Sequence, residues 1–304
     1  MKEVILGGCE FTPETLRYAY DKGVRTFDLG FGYQGEGVAD VMFGDWYKTL
    51  EKKDDIKVIN KFPLFDKLFK TKFGISLYSA DDNQLEDIIR KTISIQMERN
   101  GVNKYYAYLL HAVFDGKYTF GYNTKKDLDL YKRVVVILVK LKKEGLIENI
   151  GFSAHVDFNL LYYFVNEIDP KGDIFDIAMV SYNILNEKGS SAMNPPALAK
   201  HYNIMVWDAP GLEGVKLLKE KGYKVLDMMP TESGRISFLS TSKDWFDWAF
   251  RFVRDCKYVD SILAGTSSIK HLQQILDIFN EEDIKNIPDM RILNPNSKVC
   301  GINA

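Results

Sequence analysis

The chain has 304 residues, 46% of them hydrophobic and 27% charged, with 40 basic against 42 acidic side chains and a formal net charge of −2. That balance supports a large core without staples and disfavours nucleic acid or an anionic membrane as the main partner. Cys9, Cys256 and Cys300 lie far apart with no CxxC spacing, no run nears the roughly 18 apolar residues of a membrane span, and MKEVILGGCEF is too short in apolar residues for a signal-peptide core, so a reducing cytoplasm is the expected compartment.

Short apolar runs alternate with helical patterns along the chain. Strands are expected at VILGG (4–8), RTFDL (25–29), IKVIN (56–60), YYAYLL (105–110), NIGFS (149–153), IFDIAMV (174–180), NIMVW (203–207) and SILAG (261–265). Each is continuous rather than alternating, the pattern of parallel strands covered on both faces. Helical periodicity fills the gaps. It appears in PETLRYAYDKG with Thr12 as N-cap, EGVADVMFGDWYKTL, DNQLEDIIRKTISIQMERNG ending on Gly101 and KKDLDLYKRVVVILVKLKKEG ending on Gly145. VDFNLLYYFVNEI, PPALAKHY, TSKDWFDWAFRFVRD and SIKHLQQILDIFN follow. Eight such units point to an α/β fold, the closed (β/α)8 TIM barrel with a parallel eight-stranded barrel and outer helices, as one domain over residues 1–304. An open doubly wound sheet also alternates, but GGCEFTPE lacks the GxGxxG turn such a sheet would carry after its first strand. Two connections, 61–80 and 208–242, are long, and the second contains KVLDMMP, which reads as an extra strand or turn.

In a barrel of this kind functional side chains stand just past the carboxyl ends of the strands. Those positions hold Asp28, Lys61, His111 and Ser153, with Tyr33 in the loop behind Asp28. Taken singly, each has an ordinary reading as a cap, a turn former or a rim residue. Together, four ionisable types in strand order compose one proton relay. A phenol with a pKa of about 10 is a poor acid at neutral pH. A lysine ammonium beside it favours the phenolate, and an aspartate keeps that ammonium charged and oriented. A neutral His111 would hold a carbonyl against the phenol, so that the group protonates a nascent alkoxide or, in reverse, deprotonates an alcohol.

The motifs ILGG, RTFDLGFGY, VINKF, YLLH, GLIENIGFSAH, VSYNIL and SILAGTSSIKHL, in this order over nearly the full length, resemble the aldo-keto reductase family. The resemblance implies a (β/α)8 barrel that moves a hydride between NADPH and a carbonyl, with the family's tetrad at Asp28, Tyr33, Lys61 and His111. Where the family fixes the nicotinamide carboxamide with Ser-Asn and Gln, this chain has Ser153-Ala154 and Met179. GFSAH resembles members with SGH, among them a branch carrying a C-terminal iron–sulfur module, but the tail here holds only Cys300. Toward the cofactor phosphates the resemblance implies Gly265, Thr266, Ser267 and Ser268 at a helix start. The usual arginine position falls on His271, leaving Lys270 as the nearest fixed cation, and an adenine-contacting Glu-Asn pair appears as Gln274-Ile275. Trp207 in VWDAPGLEG is the candidate aromatic for nicotinamide if the seventh strand ends there. The hairpin that precedes the first strand in the family is missing, so the C-terminal tail is expected to seal the barrel floor.

The function so implied is reduction of an aldehyde or ketone, a small-molecule carbonyl, by a monomer using NADPH, with NADH as the second option. One alternative keeps the relay for non-redox or internal-redox chemistry. Another is a non-catalytic binding subunit, which has no need of Lys61 beside Tyr33. Phe62, Phe65, Phe69, Phe73, Tyr78 and Leu212 are candidates for the wall of an apolar pocket.

Overall fold

Strand pairing runs in sequence order and closes on itself. In the computed structural model, which describes residues 2–35, 37–114, 124–190, 200, 206–239 and 245–280, the strands are β1 (Glu3–Gly7), β2 (Thr26–Asp28), β3 (Lys57–Pro63), β4 (Tyr105–His111), β5 (Ile147–Ala154), β6 (Ile177–Val180), β7 (Lys224–Asp227) and β8 (Ser261–Ala264). Each pairs in parallel with the next, and β8 pairs with β1 in the register Val4 to Ile262 and Ile5 to Leu263. The outer layer comprises α1 (Pro13–Asp21), α2 (Val38–Lys48), α3 (Asp66–Phe73), α4 (Asp82–Asn100), α5 (Thr124–Lys143), α6 (Phe158–Ile168), α7 (Gly211–Glu220), α8 (Trp245–Asp255) and α9 (Ile269–Asn280). This is the expected (β/α)8 barrel. Among the described residues no helix is long and apolar enough to cross a membrane.

Both faces of the strands are buried, which is why they read as continuous apolar runs. Ile5, Ile59, Leu109, Ile177, Met179, Leu226 and Leu263 fill the barrel interior, while Phe27, Val58, Phe62, Tyr108, Phe152, Val225 and Ile262 pack outward against the helices. Burying each such side chain contributes about 1.5–3 kcal/mol. Local signals fix the helix ends. Thr12 caps α1 reciprocally with Thr15, and Asp81 caps α4 with Gln84, each cap contributing roughly 1 kcal/mol. α2 and α4 approach so closely that a Cβ on Gly44 would lie 1.8 Å from the Arg99 carbonyl oxygen. That contact excludes every residue but glycine.

The floor of the barrel is polar and comes from the first residues of the strands. Glu3 accepts hydrogen bonds from Thr26, from Lys224 Nζ at 2.7 Å and from Ser261 at 3.4 Å, and the Tyr106 ring lies under Lys57 and Lys224 at 5.0 and 5.8 Å. The C-terminal tail expected to seal this end lies outside the described residues.

One strand differs from expectation. The seventh is Lys224–Asp227, from the KVLD that read only as an extra strand or turn, and not NIMVW at 203–207. Of that run, 203–205 lie outside the described residues, as does nearly all of PPALAKHY. The reason is pairing. Met179 registers with Leu226, and Leu226 with Ser261, so KVLD bridges β6 and β8 and buries Leu226 in the interior. The stretch just after Trp207 instead makes an isolated antiparallel bridge, Ala209 to Ser190. The expected long connection at 208–242 therefore contains α7, β7 and a 3-10 turn, Arg235–Leu239.

Candidate active site

β2 ends at Asp28, whose register partner is Ile59, so Lys61 stands two residues beyond the last β2 pair with its side chain turned to the barrel mouth. Asp28 and Lys61 are both buried, and Lys61 Nζ lies 2.5 Å from Asp28 Oδ1 while donating to the Leu29 carbonyl at 2.8 Å. The ammonium then faces the Tyr33 ring, 4.8 Å from its centroid. Tyr33 reaches this place through the turn closed by its N–H on the Gly30 carbonyl at 2.9 Å. A Cβ on Gly30 would sit 3.0 Å from Tyr33 Cζ, so glycine there lets the phenol fold back over Asp28. The Tyr33 hydroxyl lies close enough to the Asp28 carboxyl and the Cys9 thiol for each to act on its proton. His111, the last residue of β4, meets the Tyr33 ring edge-on at 5.8 Å and packs on Phe65 at 5.3 Å.

The electrostatics depart from the sequence expectation in one respect. Burial first, then the neighbouring Asp28 and Cys9, push the Tyr33 phenol well above its ordinary value, so the proton stays on through the physiological range. Lys61 does not pull it toward phenolate, because its charge is spent on Asp28 and Leu29 and it faces the ring rather than the hydroxyl. Burial also raises the Asp28 carboxyl, against the opposing pull of Lys61 and Tyr33. His111 is driven down to about 3 by burial, with Lys61 and His155 adding to the effect, and its Nδ1 is buried with no hydrogen-bond partner. It is therefore neutral at any working pH. Cys9 is exposed at the rim, yet the protein packed around its thiol pushes it up to about 11.

The residues assigned to a cofactor fall at the rim, with uneven surroundings. Ser153 is buried. Its Oγ accepts from the Ala112 N–H at 3.1 Å, which steadies a loop where Ala112 and Phe114 hold φ of +61° and +51°. Its register partner Met179 lies in the apolar interior, so that position offers no polar contact. At the start of α9, Thr266 Oγ1 accepts from Ser268 N–H at 3.1 Å and Ser268 Oγ accepts from His271 N–H at 3.3 Å, so both hydroxyls help to form the helix start. Gly265, Ser267 and Lys270 are exposed beside them, and the His271 ring lies on Phe246 at 5.3 Å. Trp207 does not follow the seventh strand. It precedes α7, its backbone N–H donating to Glu232 Oε1 at 2.6 Å and its ring 4.5 Å from that of His155. The residues that do follow β7 are Met228, Met229 and Pro230.

Three participants in this geometry were not singled out from sequence. Cys9 lies two residues past the end of β1, where the strand-end rule would have found it. His155 stands in the GFSAH motif itself. Arg235 closes a turn in which Glu232, Ser233 and Gly234 hold successive φ of +50°, +54° and +78°. Two non-glycine residues in that region store of order 1–3 kcal/mol each. Glu232 is fully buried, and Arg235 Nη1 is buried with no hydrogen-bond partner. A buried, unsatisfied guanidinium nitrogen is a donor awaiting an acceptor.

The site thus offers a protonated phenol, a neutral imidazole and a buried ion pair at one mouth, which suits proton delivery to an oxygen that gains negative charge. The model of the aldo/keto reductase family matches residues 10–292. Solved structures similar to this chain include an aldo-keto reductase from Bacillus halodurans in its holo form, with a TM-score of 0.63, 14% identity and 93% of this chain and 88% of that one covered. Another is an aldo-keto reductase from Klebsiella pneumoniae in complex with NADPH, with a TM-score of 0.59, 14% identity and 91% and 85% covered. The aldose reductase from Schistosoma japonicum gives a TM-score of 0.61, 13% identity and 97% and 88% covered. At these identities the likeness carries the fold. No curated protein matches the sequence.

Proposed function

Because this chain belongs to the aldo/keto reductase family, we propose that it reduces an aldehyde or ketone to the alcohol with NADPH as hydride source, Tyr33 supplying the proton. The observation that carries this reading is the meeting of Tyr33, Asp28, Lys61 and His111 at one mouth, with the phenol kept protonated and the imidazole kept neutral. His111 orients the substrate oxygen by hydrogen bonding. Tyr33 gives up its proton as charge builds on that oxygen, and the phenolate left behind has the Lys61 ammonium against its ring. Asp28 holds Lys61 in that place.

The residues fit a dinucleotide. Ser153 is the polar group for the nicotinamide carboxamide, Gly265, Thr266, Ser267, Ser268 and Lys270 form the phosphate rim, and the orphaned Arg235 Nη1 supports an anionic ligand above β7. Trp207 beside His155 is the aromatic wall on the β5 side. When bound, the nucleotide supplies the hydride. The protein acts as a cytoplasmic monomer on small-molecule carbonyl compounds, using NADPH in preference to NADH.

Titration with NADPH and then NADH, followed by tryptophan fluorescence and checked by calorimetry, tests the binding half. A carbonyl panel assayed with wild type and Tyr33→Phe tests the rest, with a loss of about 10²–10⁴ in kcat expected from the missing acid. Absence of binding at millimolar nucleotide, or turnover indifferent to Tyr33→Phe, overturns the proposal.

A further inference from the structure

Behind the mouth, on the outer face of β3, buried polar side chains converge on one peptide unit, that of Lys61. Gln96 of α4 donates from Nε2 to the Lys61 carbonyl at 3.0 Å and to Asn60 Oδ1 at 2.9 Å. Asn60 Oδ1 also accepts the Lys61 N–H at 2.8 Å. Each of these groups is held in turn. Tyr108 of β4 donates to Gln96 Oε1 at 2.6 Å, and Asn60 Nδ2 donates to Asp40 Oδ1 and Asn100 Oδ1, both at 3.0 Å. Asn100 Nδ2 donates to Asp40 Oδ1 at 3.0 Å, and Tyr105 donates to Asn100 Oδ1 at 2.6 Å. None of the six side chains is exposed.

Holding a helix against a sheet does not require this. Leu85, Ile89 and Ile93 of the same helix do so by apolar packing. What is special about residue 61 is its position beyond the end of β2, where the ladder on that side has stopped. Its backbone groups are engaged by side chains instead, and its ammonium spans to Asp28 and the Leu29 carbonyl. The bonds available to Gln96 match the task, with two N–H donors for two acceptors and one carbonyl for one hydroxyl. At residue 61 every bond is made, and only Asp40 Oδ2, at the far end of the network, lacks a hydrogen-bond partner; satisfied buried hydrogen bonds of this kind fix one geometry more strictly than apolar contacts do.

We propose that Gln96 and Asn60, backed by Asp40, Asn100, Tyr105 and Tyr108, are positioning residues that hold the Lys61 backbone so that its ammonium stays on Asp28 and beneath Tyr33. The inference rests on the reading of Tyr33 as proton donor. Gln96→Met keeps the volume and removes both donors. It lowers kcat for carbonyl reduction about 10–100-fold, the cost of small misplacement at a reacting group, with KM and the NADPH dissociation constant unchanged. Tyr108→Phe removes one hydroxyl at the far end and gives a loss of about two- to threefold with the same unchanged KM, so it carries the test if Gln96→Met does not fold. Independently of turnover, the 13Cε resonance of Lys61, assigned by its disappearance in Lys61→Met, shifts in both variants. Folded variants with wild-type kcat and an unmoved Lys61 signal overturn the proposal. A wild-type protein inert toward carbonyls refutes the redox reading instead, and the resonance then still decides whether the network places the lysine.

Discussion

Replacing Lys61 by methionine removes the cation from a pair in which both side chains are about 1% exposed. The uncompensated carboxylate of Asp28 then costs about 3–5 kcal/mol, the usual penalty for breaking a buried pair by deleting one partner. Asp28 can avoid part of this cost by taking up a proton, since burial already raises its pKa and the lysine is the largest opposing pull. A carboxyl whose folded pKa exceeds its unfolded value binds more protons in the folded state between those two values, so stability falls as pH rises through that window. Lys61→Met widens the window upward. Urea unfolding at pH 5 and pH 8 should therefore show a larger deficit against wild type at pH 8. The double variant Lys61→Met/Asp28→Asn should recover most of the stability at pH 8 while remaining inactive toward carbonyls. Equal deficits at the two pH values, or a double variant no more stable than the single one, would refute the argument that an uncompensated Asp28 charge is what the lysine prevents.

His111, driven down to about 3, should show no imidazole titration between pH 5 and 8. Its C2–H proton resonance should hold still across that range, and a midpoint near 6.5 would contradict the desolvation of the ring. Arg235→Leu should weaken NADPH binding about 10–100-fold, as expected for one charge-assisted hydrogen bond, while thermal stability holds or rises because a buried unpaired group has been removed; calorimetry and a melting curve report the two effects. Asp227, at the end of β7, is raised to about 8 by burial, and its Oδ2 has no hydrogen-bond partner. By the same sign, wild-type stability should drop between pH 5 and 8, and Asp227→Asn should flatten that slope by a few kcal/mol in urea unfolding.

Asp28, Lys61 and His111 were legible because each ends an apolar run, and a parallel strand buried on both faces is the plainest pattern a sequence carries. Tyr33 was legible through the small residues that let the chain turn. The seventh strand was not, because NIMVW looks more like a strand than KVLD does when each is read alone, and only pairing with β6 and β8 decides between them. That misplacement carried Trp207 with it. The acidity of Tyr33 also escaped the sequence. A lysine can lower a phenol or leave it high, depending on whether it meets the oxygen or the ring. Cys9, two residues past β1, lay within reach of the strand-end rule, whereas Arg235 depends on where a loop returns, which local composition does not encode. The network around Asn60 and Gln96 reads in sequence as scattered amides on a helix and a strand.

Among the described residues, the apolar side chains that fill the interior and the ring of Glu3, Thr26, Lys224 and Ser261 beneath them make the barrel a cul-de-sac. Whatever reaches Asp28 or Ser153 must pass the same doorway by which it leaves. For two reactants this turns architecture into kinetics: the one seated deeper has to arrive first and depart last. The sequence of binding events would then be written into the floor, far from any residue that touches a reacting atom.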